Sequence, residues 1–192
     1  KMLGPMGVGG LLVKKELLVS EEFRPWLFGG GMIDQVHAET ASYSPDLADR
    51  FTAGTPDVAS VRGLAVACEY LSNLDMTEVM KHDFELVTYA YDKLSQIPGV
   101  TVVGLKPELV SGLPNRSGSV TFIHQTAHPH DLAQILDSEG VAVRSGHHCT
   151  MPLHLACDWQ ATTRASFNVY STKADIGVLV TAFTKVNKIF GV

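Results

Sequence analysis

Nine consecutive residues hold the densest set of reactive side chains in the sequence: Arg144-Ser145-Gly146-His147-His148-Cys149-Thr150-Met151-Pro152. Thiolate is the nucleophilic form of cysteine, and neighbouring positive charge favours it. Arg144 and the imidazoles of His147 and His148 stand close enough in sequence to supply that charge. Gly146 and Pro152 place the run in a loop, from which a thiol can reach into a neighbouring cleft. The plainer alternative is a surface loop with an incidental cysteine, and composition alone gives it a slight edge. His147, His148, Cys149 and His154 are also zinc-type ligands. Adjacent His-His-Cys converges poorly on one tetrahedral ion, however, and no Cys-x-x-Cys or His-Glu-x-x-His pair supports a metal. No metal site is expected.

Three further places suit a ligand. Gly54-Thr55-Pro56 reads as a glycine-flanked turn opening a helix, where free backbone N–H groups favour a phosphate. Gly29-Gly30-Gly31 would let backbone approach a ligand closely, although flexible loops use glycines as well. Arg164, at the start of an apolar strand, offers a bidentate fork for a carboxylate. A structural ion pair explains it equally well. His128 and His130 beside Pro129 read as a helix cap, and Cys157 has no basic neighbours and no assigned role.

The elements that must position these groups alternate between helix and strand, which predicts an α/β fold. Gly7–Val13 reads as a buried strand, followed by an irregular stretch over 20–50. Thr55 as cap and Pro56 at the first helical position predict a helix with Val58, Val61, Leu64, Ala65, Cys68 and Leu71 on its apolar stripe. That stripe makes Cys68 a packed core thiol. A second helix is predicted from about Met76 to Ile97, with Val79, Met80, Phe84, Val87, Tyr91 and Leu94 on one face. Pro98-Gly99 stops it. The junction at Ser72–Asp75 is the expected boundary between a unit over 1–74 and another over 75–192. In the second unit, strands are expected at Val100–Val103, Ser119–Ile123, Val141–Arg144 and Arg164–Tyr170. A helix is expected behind Pro129 and before Gly140. Thr172 with Asp175 predicts a capping box for a final helix.

Composition narrows the class. The 192 residues carry 15 Lys and Arg against 20 Asp and Glu, a net charge of −5, which lacks the basic footprint of general nucleic-acid binding. No apolar run approaches the ~18–20 residues of a membrane span. Three cysteines without tight spacing indicate reduced thiols and a cytoplasmic setting. The chain opens Lys1-Met2-Leu3-Gly4-Pro5, without an initiator Met or a signal peptide, and so reads as part of a longer protein.

Taken in order, Lys1-Met2-Leu3-Gly4-Pro5-Met6-Gly7-Val8-Gly9, Gly29-Gly30-Gly31-Met32-Ile33, Arg50-Phe51-Thr52-Ala53-Gly54-Thr55-Pro56, Arg144-Ser145-Gly146-His147-His148-Cys149 and Arg164-Ala165-Ser166-Phe167 resemble the C-terminal half of a pyridoxal-phosphate-dependent cysteine desulfurase. The likeness is to the SUF-type group within the class V aminotransferases. It implies the end of a large fold-type-I cofactor domain over 1–74. A small α/β domain, with a mainly antiparallel sheet and the cysteine loop, would occupy 75–192. Lys1 would carry the pyridoxal 5'-phosphate cofactor and shuttle protons, and Gly54 and Thr55 would contact its phosphate across a dimer interface. Gly29, Gly30 and Gly31 would lie near the neighbouring subunit's site. Arg164 would hold the substrate carboxylate, and Cys149 would take the sulfur of L-cysteine as a persulfide, supported by Arg144, His147 and His148.

The resemblance further implies a homodimer, a sulfur-acceptor protein and a role in iron–sulfur cluster assembly. The family has a His before the cofactor lysine, and an upstream half with the phosphate loop, the pyridine-pairing aspartate and the stacking histidine; none of these stands in the sequence. A residue that often separates the glycine run from Met-Ile is also absent. These residues alone are therefore expected neither to hold the cofactor nor to turn over substrate. Two alternatives remain: a selenocysteine lyase acting on L-selenocysteine, and a catalytically incomplete binding or assembly module. A class V enzyme without sulfur chemistry is disfavoured by the Cys149 run.

Overall fold

The structure is a computed structural model that describes residues 2–20 and 22–192. The chain divides into two compact units, Lys1–Leu74 and Asp75–Val192. Among the described residues no helix is long and apolar enough to cross a membrane.

The first unit contains a short helix α1 (Lys15–Leu18), an antiparallel pair β1 (Ile33–Val36) and β2 (Ala41–Tyr43), a short helix α2 (Leu47–Arg50) and the helix α3 (Val58–Ser72). The expected strand over Gly7–Val13 is not formed; that stretch runs as irregular chain with Leu11 and Leu12 exposed. An apolar run alone cannot make a strand when no second strand supplies its hydrogen bonds. Helix α3 starts later than Thr55 and Pro56 suggest. Asp57 is the cap, its carboxylate accepting from the Ser60 N–H at 3.1 Å and from the Ser60 hydroxyl at 2.6 Å. Of the apolar α3 stripe, Leu64, Cys68 and Leu71 are half-buried and Val58, Val61 and Ala65 are exposed; Ala67 is the residue that buries. Cys68 is thus not a core thiol.

The second unit is a two-layer α/β sandwich. Helix α4 (Met76–Leu94) leads to β3 (Val100–Val102), a small hairpin β4 (Leu109–Val110) and β5 (Leu113–Pro114), and the long strand β6 (Ser119–His124). Helix α5 (Pro129–Ser138), β7 (Arg144–Gly146), α6 (Met151–Ala156), β8 (Thr162–Ser166) and α7 (Lys173–Phe190) complete it. The sheet order is β3-β6-β8-β7, antiparallel throughout. Alternation along β6 and β8 sends Val120, Phe122 and Ala165 into one core with Leu86, Val87, Ala90, Leu94, Leu132, Leu136, Ile176, Leu179, Phe183 and Val186 of α4, α5 and α7. Phe122 and Phe183 meet edge to face with centroids 5.7 Å apart.

The capping box stands as read: Thr172 and Asp175 satisfy each other's backbone, and Gly191 ends α7 in the left-handed conformation. Other boundaries moved. Helix α4 ends at Leu94, capped at its start by Asp75, and buries Leu86, Val87, Ala90 and Leu94 more deeply than Val79, Met80, Phe84 and Tyr91. Val141–Val143 makes no ladder; the Val141 N–H returns to the Leu136 carbonyl, and the strand begins at Arg144. Strand β8 lies at Thr162–Ser166, two residues ahead of the expected start at Arg164.

Candidate functional site

Strand β8 supplies the core with one face and the site with the other. Ala165 and Thr163 share the face of Val120 and Phe122, their partners on β6. Arg164 therefore projects from the opposite face, and in the register it lies directly across from Arg144 of β7. Two like charges in opposite positions repel, and the Arg164 Nε is buried without a partner. Among the described residues the salt bridges are Lys81–Glu78, Lys173–Glu85 and Lys185–Glu139, so no carboxylate pairs with Arg164. The ion-pair explanation of Arg164 is thereby lost.

Cys149 sits at the tip of the next connection. Thr150 donates its N–H to the His147 carbonyl at 2.8 Å, closing a tight turn with His148 and Cys149 in the middle. Both central residues are left-handed, His148 at φ 52° and Cys149 at φ 64°. Positive φ at both central positions marks the turn class that normally takes Asn-Gly. For residues with a Cβ this costs about 1–2 kcal/mol each, so the conformation persists only where its surroundings hold it. Three anchors do so. The Thr150 hydroxyl donates to the His147 carbonyl at 2.7 Å, His148 Nε2 donates to the Thr162 carbonyl at 3.1 Å, and Ser145 Oγ meets His130 Nδ1 at 2.9 Å. The Cys149 thiol is exposed, with Arg144 Nη2 3.7 Å from its Sγ.

Burial pushes the His148 imidazole below its ordinary value of 6.5, and the charge of Arg164 adds to the effect; the bond to Thr162 opposes it, and Arg144 and His154 contribute further lowering. Its Nδ1 is buried without a partner. His148 thus serves as a neutral hydrogen-bonding strut. Among the described residues no group of three metal-ligating side chains is assembled.

In the first unit the structure brings Gly30 and Gly54 together: the Gly54 N–H donates to the Gly30 carbonyl at 2.9 Å. A Cβ on Gly29 would lie 3.0 Å from the Gly54 nitrogen and 3.2 Å from the Ala53 carbonyl carbon, so a side chain there would press on the backbone of the crossing. Gly31 and Gly54 both take positive φ. Exposed Thr55 follows this crossing, and its hydroxyl is of the donor type that binds phosphate. The first turn of α3 already holds the Asp57 carboxylate, so it does not offer the anion site suggested by the sequence. Lys1 lies outside the described residues.

Sequence reasoning passed over Thr162, and weighed His154 only as a zinc-type ligand. Thr162 is fully buried although it faces away from the core, because α6 and its preceding loop cover it. The six-residue helix α6 was too short to give a readable period.

Sequence and fold are shared with known proteins. The family model for class-V aminotransferases matches residues 1–179. A probable cysteine desulfurase 2 of Mycobacterium leprae is 44% identical over 191 residues, covering 100% of this chain and 44% of the relative. A probable cysteine desulfurase of Staphylococcus aureus strain Mu50 is 43% identical over 190 residues, 99% of this chain and again 44% of the relative. The crystal structure of the Escherichia coli cysteine desulfurase CsdA superposes with a TM-score of 0.83 at 33% identity, covering 98% of this chain and 44% of that one. The chain spans less than half the length of these relatives.

Proposed function

Because the chain belongs to the class-V aminotransferase family, we propose that it supplies the C-terminal part of a cysteine desulfurase, which converts L-cysteine to L-alanine and collects the sulfur on Cys149. The observation that carries this reading is the pairing of an exposed, turn-borne thiol beside Arg144 with an Arg164, directly across the ladder, that has no carboxylate partner among the described residues. In this reading unit Lys1–Leu74 is the end of the large cofactor domain and Asp75–Val192 the small domain.

The donors fit the proposed cofactor, pyridoxal 5'-phosphate. Thr55, exposed beside the Gly30–Gly54 crossing, would take part in holding the phosphate, and Lys1 would hold the cofactor covalently and move the proton. Bound there, the cofactor supplies the electron sink that lets the substrate's carbon–sulfur bond weaken. The chain's own side chains do the rest. Arg164 clamps the substrate carboxylate through two N–H donors, which fixes the direction in which the sulfur points. The Cys149 thiolate attacks that sulfur and a sulfur–sulfur bond forms. The carbon–sulfur bond breaks with its electron pair returning to carbon, which is protonated to the methyl group of alanine. Arg144 keeps positive charge beside Sγ. The exposed turn then presents the persulfide to a protein acceptor serving iron–sulfur cluster assembly. A cytoplasmic homodimer is the expected form of the whole enzyme.

The deciding experiment uses the full-length protein. Cys149→Ser should abolish sulfide and alanine production from L-cysteine while leaving the visible absorbance of bound pyridoxal phosphate intact. Undiminished sulfur release from that variant refutes the proposal.

A further inference from the structure

The residue with the most complete set of contacts around the thiol turn is His154, which the sequence offers only as a zinc-type ligand and to which the proposed chemistry gives no part. It is 3% exposed on α6, five residues beyond Cys149. Its Nδ1 lies 3.0 Å from the Thr150 carbonyl, and its Nε2 lies 3.0 Å from Thr162 Oγ1. A carbonyl oxygen only accepts, so Nδ1 carries the proton, and Nε2 accepts from the Thr162 hydroxyl. Both ring nitrogens are thus engaged, which also removes His154 from any metal. The His147 ring meets it edge-on at 5.2 Å, the His148 ring lies at 6.1 Å and Trp159 at 6.0 Å.

Thr162 is gripped from two sides. His148, in the turn, donates to its carbonyl, while its hydroxyl donates to His154 behind the turn. Arg164 stands two residues further along the same face of β8. The thiol turn and the arginine are therefore referred to one short rigid strand, through one threonine. The turn itself is strained at both central residues, and strain of that kind relaxes when an anchor is removed.

We infer that His154 is a positioning residue for the Cys149 nucleophile. It ties the trailing end of the turn, at Thr150, to Thr162, and so fixes the distance between the thiol and the substrate held by Arg164. This rests on the cysteine desulfurase reading. Its effect belongs to the sulfur-transfer step, since His154 touches neither substrate nor cofactor; misplacing a reacting group by about 1 Å can cost ~10²-fold in rate.

The test uses the full-length, cofactor-loaded enzyme with L-cysteine. His154→Ala should lower kcat by about 10- to 100-fold with KM and bound cofactor unchanged. Amide exchange at Thr150 should quicken at least about tenfold while exchange at Phe122 and Leu86 stays at the parent rate. His154→Asn, whose side-chain N–H can still reach the Thr150 carbonyl, should restore a substantial part of both kcat and protection. Should His154→Ala fold poorly, Thr162→Val removes only the hydroxyl partner and should shift kcat and Thr150 exchange in the same direction. Cys149→Ser run in parallel separates the two levels: if it still releases sulfur, the desulfurase reading falls. If it is dead but His154→Ala and Thr162→Val keep kcat within about twofold of the parent, the positioning role alone is refuted. A loss in His154→Ala accompanied by equal loosening of the core, with no rescue by Asn, refutes it likewise.

Discussion

Arg164→Met is the most discriminating substitution, because a structural and a functional arginine respond to it with opposite signs. In the structure Arg164 opposes Arg144 across the ladder, and its Nε is buried without a partner. Like charges directly opposite each other destabilise a sheet by roughly 0.2–1 kcal/mol. A buried donor left unmade costs about 1–3 kcal/mol, and half-burial of the side chain places Arg164 at the lower end. Methionine keeps an aliphatic stem over the sheet while removing both penalties, so the second unit should gain about 1–2 kcal/mol. With a urea dependence of about 2 kcal/mol per molar, the middle of the usual range, the unfolding midpoint should rise by about 0.5–1 M. Fluorescence of Trp159 reports the second unit selectively once Trp26, in the first, is replaced by phenylalanine. The same variant of the full-length enzyme should lose L-cysteine binding, seen as a KM raised at least about tenfold through loss of a charged bidentate contact. A midpoint that falls by about 0.5 M or more, with KM unchanged, would show that Arg164 serves the fold and not a substrate.

The remaining expectations concern the turn and the core. His148 titrates below its ordinary 6.5 in the folded chain, so at acidic pH the unfolded chain binds the proton first. The stability due to its neutral form is present above 6.5 and lost as pH falls through the lower folded value. His148→Gln should flatten that part of the profile in urea unfolding measured from pH 5 to 8, and an unaltered slope would contradict the assignment. Phe122→Ala removes a fully buried ring that packs on Phe183, and should cost the second unit about 3–5 kcal/mol in the same unfolding assay. A loss below about 1 kcal/mol would mean that the core described here is not the one that holds this unit.

How much of this was legible beforehand depended on whether the signal was local. The capping box of Thr172 and Asp175, and Pro129 behind a capping residue, name their helices from three or four neighbouring side chains, and both helices are where they were read. Strands depend on partners that the sequence does not display. Val141–Val143 has the composition of a strand, yet its first N–H is captured by Leu136 at the end of α5. Gly7–Val13 has no partner among the described residues. The reactive run 144–152 could be located from residue types, but the opposition of Arg144 and Arg164 is a property of β7–β8 register. No local pattern encodes that pairing, and it is what speaks against a structural ion pair at Arg164.

The same register explains how a small sheet can serve a core and a site at once. Along β8 the side chains of Thr163 and Ala165 enter the helix-covered layer, and those of Thr162 and Arg164 leave it. A slip of one residue would send Arg164 into the apolar core and expose Ala165, an exchange that the core cannot absorb. Pairing of Val120 with Ala165 and of Phe122 with Thr163 therefore aims the arginine as surely as any contact on its own face. Thr162 is aimed by the same alternation, and with it the two histidines that hold the left-handed turn. The hydrophobic alternation of β6 and β8 thus sets the position of the thiol as well as that of the arginine, and the strain at His148 and Cys149 is sustained by burial on the other side of the sheet.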